Sequence, residues 1–364
     1  MAERAARKKV YIELIRVLAF VLVMYNHLPG YTMYMYTKGV KQFVYMYISM
    51  ITRINVPLFF MISGSLLLAR KEEMGTVIRK RVPRQILVMV LFELALYLCY
   101  GLHANLRGET YALMAGHFLR GALAGNLDGM GSYWYMYAYL AFLLLLPFMQ
   151  RAAEGIKKEE IAVLFVLRLA LFALLPVLNL LLHLNGAEPF RTAGKFELPL
   201  VTISAFFFPL IGYYLDRCVD IEKISGKKLA GLAGAATAGI LLSCLCTLME
   251  GKADGQLTQN FVRMTDAVSA AAAFIIIKYI MLVRRPSLSE GRSGSLICFV
   301  GSLTFGIYLL NPFLKLFFYQ SYKAAAKVYL RGPILSVIWV LISMCAGGAI
   351  TFLLKKIPGI RKLI

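Results

Sequence analysis

Long apolar stretches, each about 20 residues and separated by short basic clusters, constrain this 364-residue chain more than any other feature of its sequence. A run of 18 or more such residues can cross the hydrocarbon core of a bilayer as a helix, where every backbone N–H and C=O must be satisfied within the segment. Ten spans are expected, at 11–30, 44–69, 84–102, 133–150, 161–183, 199–215, 229–249, 266–283, 296–318 and 333–354. The sequence therefore predicts an all-α, polytopic integral membrane protein. Only 16% of the residues are charged and 60% are hydrophobic, against about 25% charged in a soluble domain, which argues against a water-soluble enzyme.

The net charge of +21 would point to nucleic acid in a soluble protein. Here the Lys and Arg residues flank the spans, so orientation in the bilayer accounts for them and no nucleic-acid partner is expected. Counted alternately, 24 of the 40 basic residues fall on the side that holds both termini and 12 on the other, with Arg16, Arg53, Arg168 and Lys278 inside spans. Both termini are therefore expected in the cytoplasm. The first apolar run contains Arg16 and His27 and lacks a small-x-small cleavage site, so it reads as a retained span and not a signal peptide. Residues 1–364 read as one membrane-embedded domain with no appended soluble domain. The stretch from His103 to Ser132, about 30 residues long, exceeds usual connections and is expected to be structured or functional. The six cysteines suggest neither a disulfide nor a metal site, because Cys244 and Cys246 have no further ligand at suitable spacing.

Ionisable groups inside a span cost about 2.5–3.5 kcal/mol on insertion scales and mark candidate functional positions. The first span holds Glu13, Arg16 and His27. Eleven residues at 100° each bring Arg16 and His27 within about 20° of the same helix face, and Glu13, three residues before Arg16, shares it. The rise between Arg16 and His27 is about 16 Å, so one end of the face offers a fixed cation and the other a group that titrates near neutrality. A guanidinium suits a phosphate or carboxylate, and an imidazole can take a proton from a hydroxyl. The bland alternatives are a neutral imidazole bonded to a neighbouring helix and a snorkelling Glu13–Arg16 ion pair.

A second segment runs Asn55-Val-Pro-Leu-Phe-Phe-Met-Ile-Ser-Gly64 and leads to Arg79, Lys80, Arg81 and Arg84. Pro57 and the Ser63-Gly64 pair are expected to kink or loosen the helix, a feature tolerated where backbone is packed in protein or lines a cavity. Close helix packing is the alternative for Ser63 and Gly64. Arg53 and Asn55 enter from the outer side.

The chain resembles the acyltransferase 3 family of bacterial membrane O-acyltransferases. The resemblance rests on Glu13-Leu-Ile-Arg16 followed by His27, on Pro57-Leu-Phe-Phe-Met-Ile-Ser-Gly64, and on Arg81-Val-Pro-Arg84. It rests also on Tyr133-Trp134-Tyr135 and on Ser302-Leu-Thr-Phe-Gly-Ile-Tyr-Leu-Leu-Asn-Pro312. These elements follow the family's order along nearly the whole chain.

The resemblance implies an acyl-CoA donor, acetyl-CoA foremost, used as a co-substrate from the cytoplasm with no tightly bound cofactor. It implies His27 as the catalytic residue with Arg16 in support, and Arg81 and Arg84 on the donor; Glu13 is read as orienting Arg16, and Arg79 and Ser63 join the donor candidates. Arg53, Asn55, Trp134, Tyr308 and Asn311 are the candidates for the acceptor, a hydroxyl-bearing surface or lipid-linked glycan outside a bacterial plasma membrane. Many relatives carry His where this chain has Asn311, and Asn cannot carry a proton at neutral pH. An alternative from another class is a transporter of a polar solute that uses the same intramembrane charges, although paired broken helices in two halves are not evident.

Overall fold

The computed structural model of the chain describes residues 2–111, 113–127, 129–190, 198–327 and 332–364. Among them there is no strand, and each apolar run expected to cross the membrane is mostly helical. The helices are α1 (Ala2–Asn26), α2 (Gly39–Thr52), α3 (Asn55–Leu67), α4 (Met74–Leu106), α5 (Ala115–Ala124), α6 (Trp134–Leu144) and α7 (Leu146–Ala153). They continue as α8 (Lys158–Leu184), α9 (Ser204–Arg217), α10 (Gly226–Asp254), α11 (Asp266–Arg284), α12 (Gly291–Ala326) and α13 (Pro333–Leu354). Among the described residues, seven helices are long and apolar enough to span a bilayer, with α2 and α3 taken as one, or nine if each of two bent pairs is one span.

Three departures from the sequence expectation have local causes. The first span is not straight to residue 30: α1 stops at Asn26 and the chain turns by 52° into a 3-10 helix, Pro29–Tyr36. Pro29 and Gly30 follow His27 closely, and a proline opens a new helix more readily than it extends an old one. The basic segment after α3 is helical and not a loop. A single π turn at Val77–Arg81 joins it to the apolar part of α4, and Pro83 sits in the turn that follows. The wider turn is closed by the N–H of Val82 donating to the carbonyl of Val77. The segment 199–215 does not form one span: a single turn, Pro199–Thr202, is separated from the 14-residue α9 by the extended residue Ile203.

The chain forms two compact units, Met1–Lys71 with Phe148–Gly301, and Glu72–Pro147 with Ser302–Ile364. In the first unit α1 lies against α3 and α11, and α3 packs along α9. Its core includes Tyr11, Phe20, Phe60, Phe207, Phe208 and Phe274, all fully buried. Without a hydrophobic driving force between helices in lipid, close backbone approach through small residues supplies the packing. Gly64 and Gly212 do this reciprocally. A methyl group on Gly64 would lie 2.0 Å from the Pro209 carbonyl oxygen, and one on Gly212 would lie 2.1 Å from that of Met61. Neither neighbour is a flexible side chain. Gly212→Ala is therefore expected to destabilise the protein by about 1–3 kcal/mol, the usual range for overpacking, read as a lower midpoint of thermal unfolding in detergent.

In the second unit α12 meets α13 in the same manner, since a methyl on Gly306 would lie 2.3 Å from the side chain of Thr351. The stretch 103–132, expected to be structured, holds the end of α4, α5 and a 3-10 turn. It folds back on α4, where the Tyr97 hydroxyl accepts from the Met114 N–H (3.1 Å) and bonds His117 Nδ1 (3.2 Å). In each unit, leucine, valine and phenylalanine side chains remain exposed along the helices, as a lipid-facing surface requires.

Candidate functional site

In the first unit α1 carries the predicted catalytic group. Glu13 is 7% exposed and receives both short contacts of Arg16 Nη1, at 2.8 and 2.7 Å. One turn of helix brings the two together, and burial strengthens the pair relative to an exposed one. Gly301 of α12 leaves the space for this carboxylate: a methyl there would lie 2.3 Å from Glu13 Oε2. Gly301→Ala is accordingly expected to displace Glu13 and loosen its pair with Arg16, read as a lower midpoint of thermal unfolding in detergent.

His27 lies one residue past the end of α1, half-buried, with its N–H donating to the carbonyls of Val23 (3.2 Å) and Met24 (3.3 Å). Helical register thus extends to it, and the bend follows. Beside it, Asn26 Nδ2 donates to the carbonyl of Thr52 (3.4 Å), which ties the end of α1 to the α2–α3 junction. Arg53 follows at that junction and Asn55 opens α3, buried, its Oδ1 accepting from the Val56 N–H (2.6 Å). Ser63, half-buried, donates to the Phe59 carbonyl of its own helix (2.9 Å).

The break at Ile203 organises a second polar group that the sequence did not announce. With the helix interrupted, the carbonyls of Val201 and Thr202 are open to other donors, and Arg168 reaches both (2.6 and 3.4 Å). Arg168 is 1% exposed on a helix whose apolar window is only 11% buried, so it turns inward while most of α8 faces outward. Its Nη2 pairs with Asp266 at 2.7 Å. A π turn at Ala170–Leu174 then places the Phe172 ring 4.2 Å from the guanidinium of Arg168 and 4.4 Å from that of Arg263. Arg263 also donates to the Thr202 carbonyl (3.4 Å). Burial and the neighbouring Arg168 charge hold the Arg263 guanidinium below the usual arginine range.

Lys278 has a structural role in the same unit. Its Nζ donates to the carbonyls of Leu215 (2.8 Å), Asp216 (3.0 Å) and Val219 (3.4 Å) at the end of α9, while the Tyr11 hydroxyl donates to Asp216. A cation there satisfies carbonyls that the helix end leaves free.

The second unit holds the remaining predicted residues. Arg79 and Arg84 are exposed on α4, whereas Arg81 is half-buried and its Nε and Nη2 donate to the two carboxylate oxygens of Glu72. Arg84 also donates to the Leu363 carbonyl (3.4 Å). Trp134 is 49% exposed at the start of α6. Tyr308 is buried, and its hydroxyl donates to the Ser132 carbonyl (2.5 Å) while that of Tyr133 donates to the Leu309 carbonyl (2.6 Å). This reciprocal clasp lies next to Pro312, which interrupts the backbone bonding of α12. Asn311 is buried beside it.

Sequence reasoning passed over Glu93, a carboxyl group within the third apolar run that is 2% exposed and bonded by the Tyr137 hydroxyl (2.7 Å). The rule applied to Glu13 would have flagged it. The other three histidines have partners: His117 on Tyr97, His183 on Asp254 (2.7 Å), and His103 against the ring of Phe317.

An all-helical chain with apolar outer surfaces and ionised groups held inside its helices is a multi-pass membrane protein with polar chemistry at membrane depth. The model of the acyltransferase 3 family, described as an acyltransferase domain, matches residues 9–354, nearly the whole length. The chain belongs to that family and is a membrane O-acyltransferase. It matches no curated protein and no solved structure.

Proposed function

We propose that this protein moves an acetyl group from cytoplasmic acetyl-CoA to a hydroxyl of a surface or lipid-linked glycan outside the bacterial plasma membrane. His27 acts as general base. The acceptor oxygen attacks the thioester carbonyl as its proton passes to His27, the carbon–sulfur bond breaks, and the CoA thiolate leaves and takes up a proton. Arg16, oriented by Glu13, and Arg79, Arg81 and Arg84 face the donor's phosphates, for which planar, permanently charged groups are suited. Ser63 contributes to the donor side and Asn55, Trp134, Tyr308 and Asn311 to the acceptor side.

One observation carries this reading: a single helix holds an ion-paired cation partway along its length and a half-buried imidazole at its end, about 16 Å further on. The spacing separates donor charge from reacting group, as a long pantetheine arm requires. The test supplies labelled acetyl-CoA to membranes containing the protein and follows label into the glycan fraction. Unchanged transfer by His27→Ala would remove the proposed base, and solute accumulation without acyl-CoA would favour transport instead.

A further inference from the structure

We infer that Arg53 and Arg263 form a binding site for an anionic group, a phosphate or carboxylate, carried by the acceptor. That the anion belongs to the acceptor rests on the acyl-transfer reading above; that the site takes an anion does not.

Three guanidinium groups, those of Arg53, Arg168 and Arg263, gather at the junctions of α2 with α3 and α10 with α11 and at the π turn of α8. Among the described residues one carboxylate serves them, Asp266, and Arg168 holds it at 2.7 Å. Arg53 and Arg263 make no ion pair within 4 Å among those residues, and the Arg263 charge acts on Arg53. Like charges so placed repel unless an anion lies between or beside them. Both are nevertheless held in position by neutral partners. Arg53 Nη2 donates to Gln259 Oε1 (2.6 Å) and its guanidinium lies 4.4 Å from the Tyr31 ring, whose hydroxyl contacts the same Gln259 oxygen at 3.4 Å. Arg263 rests on Phe172 and the Thr202 carbonyl. Neutral anchors fix geometry and leave Arg53 with no carboxylate within 4 Å among the described residues and Arg263 with only a share in Asp266, the arrangement expected of an oriented anion receptor. Arg53 Nε is buried with no hydrogen-bond partner.

Location favours a substrate group. The Asn26–Thr52 bond joins the residue before His27 to the residue before Arg53, so the cluster adjoins the proposed base. A neutral hydroxyl acceptor would need neither arginine. A sugar linked to a phosphate, or an acidic sugar, would engage both.

The test compares purified wild-type protein with Arg53→Gln/Arg263→Gln, using inorganic pyrophosphate as the probe and the thermal unfolding midpoint in detergent as the readout. Wild type is expected to gain a saturable upward shift that salt weakens, and the double variant to need at least about tenfold more pyrophosphate. Arg263→Glu, which reverses one charge and leaves Arg53 in place, reports the same loss if the double variant does not fold. Arg107→Gln, an exposed change in the other unit, controls for general charge and should respond like wild type. Equal responses in wild type and both site variants would overturn the anion site, whether or not transfer from acetyl-CoA is ever observed. In nanodiscs, pyrophosphate binding that survives phosphatidylglycerol in place of phosphatidylcholine supports a substrate anion. Complete competition by phosphatidylglycerol makes the site a lipid headgroup site and overturns its assignment to the acceptor.

Discussion

His27→Ala is expected to slow acyl transfer by about 10²- to 10⁴-fold, the contribution a positioned general base makes. The loss should fall on kcat, because in the proposed mechanism the imidazole acts on the acceptor proton and not on the donor's phosphates. Thermal stability should change little, since His27 is half-buried and lies past the last residue of α1, where no helical turn depends on its side chain. Arg16→Ala should show the opposite division, a raised KM for acetyl-CoA with a smaller change in kcat, because the cation held by Glu13 is proposed to assist binding of charge along the donor. Radiolabelled acetyl-CoA with purified protein and a fixed glycan acceptor separates the two. If His27→Ala raises only the KM for donor, the base is elsewhere, and buried Glu93 becomes the first group to replace.

Asp266→Ala is expected to be the most damaging single change to stability, by about 3–5 kcal/mol, since it leaves a fully buried arginine without its counter-charge. Arg168 is itself 1% exposed, so removal of Asp266 leaves its charge buried. Replacing both partners, Arg168→Met with Asp266→Ala, should recover only part of this loss. The charge is gone from the double variant, but the carbonyls of Val201 and Thr202 freed by the break at Ile203 lose the donor that Arg168 supplies. Unfolding midpoints of the two single variants and the double variant in one detergent form the cycle that measures this. A double variant as stable as wild type would show that those carbonyls do not depend on Arg168.

The two expectations differ in how far the sequence led to them. His27 could be named from spacing alone, because an ionisable residue in an apolar run stands out and 11 helical residues return to nearly the same face. Arg168 stood out for the same reason, yet its partner did not: Asp266 lies 98 residues away at the first position of α11, and nothing in the local pattern ties the two. Glu93 shows the opposite failure, a signal present in the sequence and passed over. The helical nature of Arg79, Lys80 and Arg81 was hidden because charge reads as loop, whereas a π turn can carry charged residues into a helix without loss of backbone bonding.

Composition and periodicity were enough for the all-α membrane architecture, since apolar solvent admits few ways to satisfy a backbone and a run of 20 apolar residues selects the helix. The ordered motifs along the chain were enough for the family. Only tertiary structure decided that Gly64 and Gly212 face backbone, that Glu13 and Gly301 share one space, and that Arg168 and Arg263 share Asp266 and the Phe172 ring with Arg53 close to Arg263. Those contacts join residues distant in sequence through helix breaks and turns, and their geometry depends on how helices pack, which no local pattern of residues encodes.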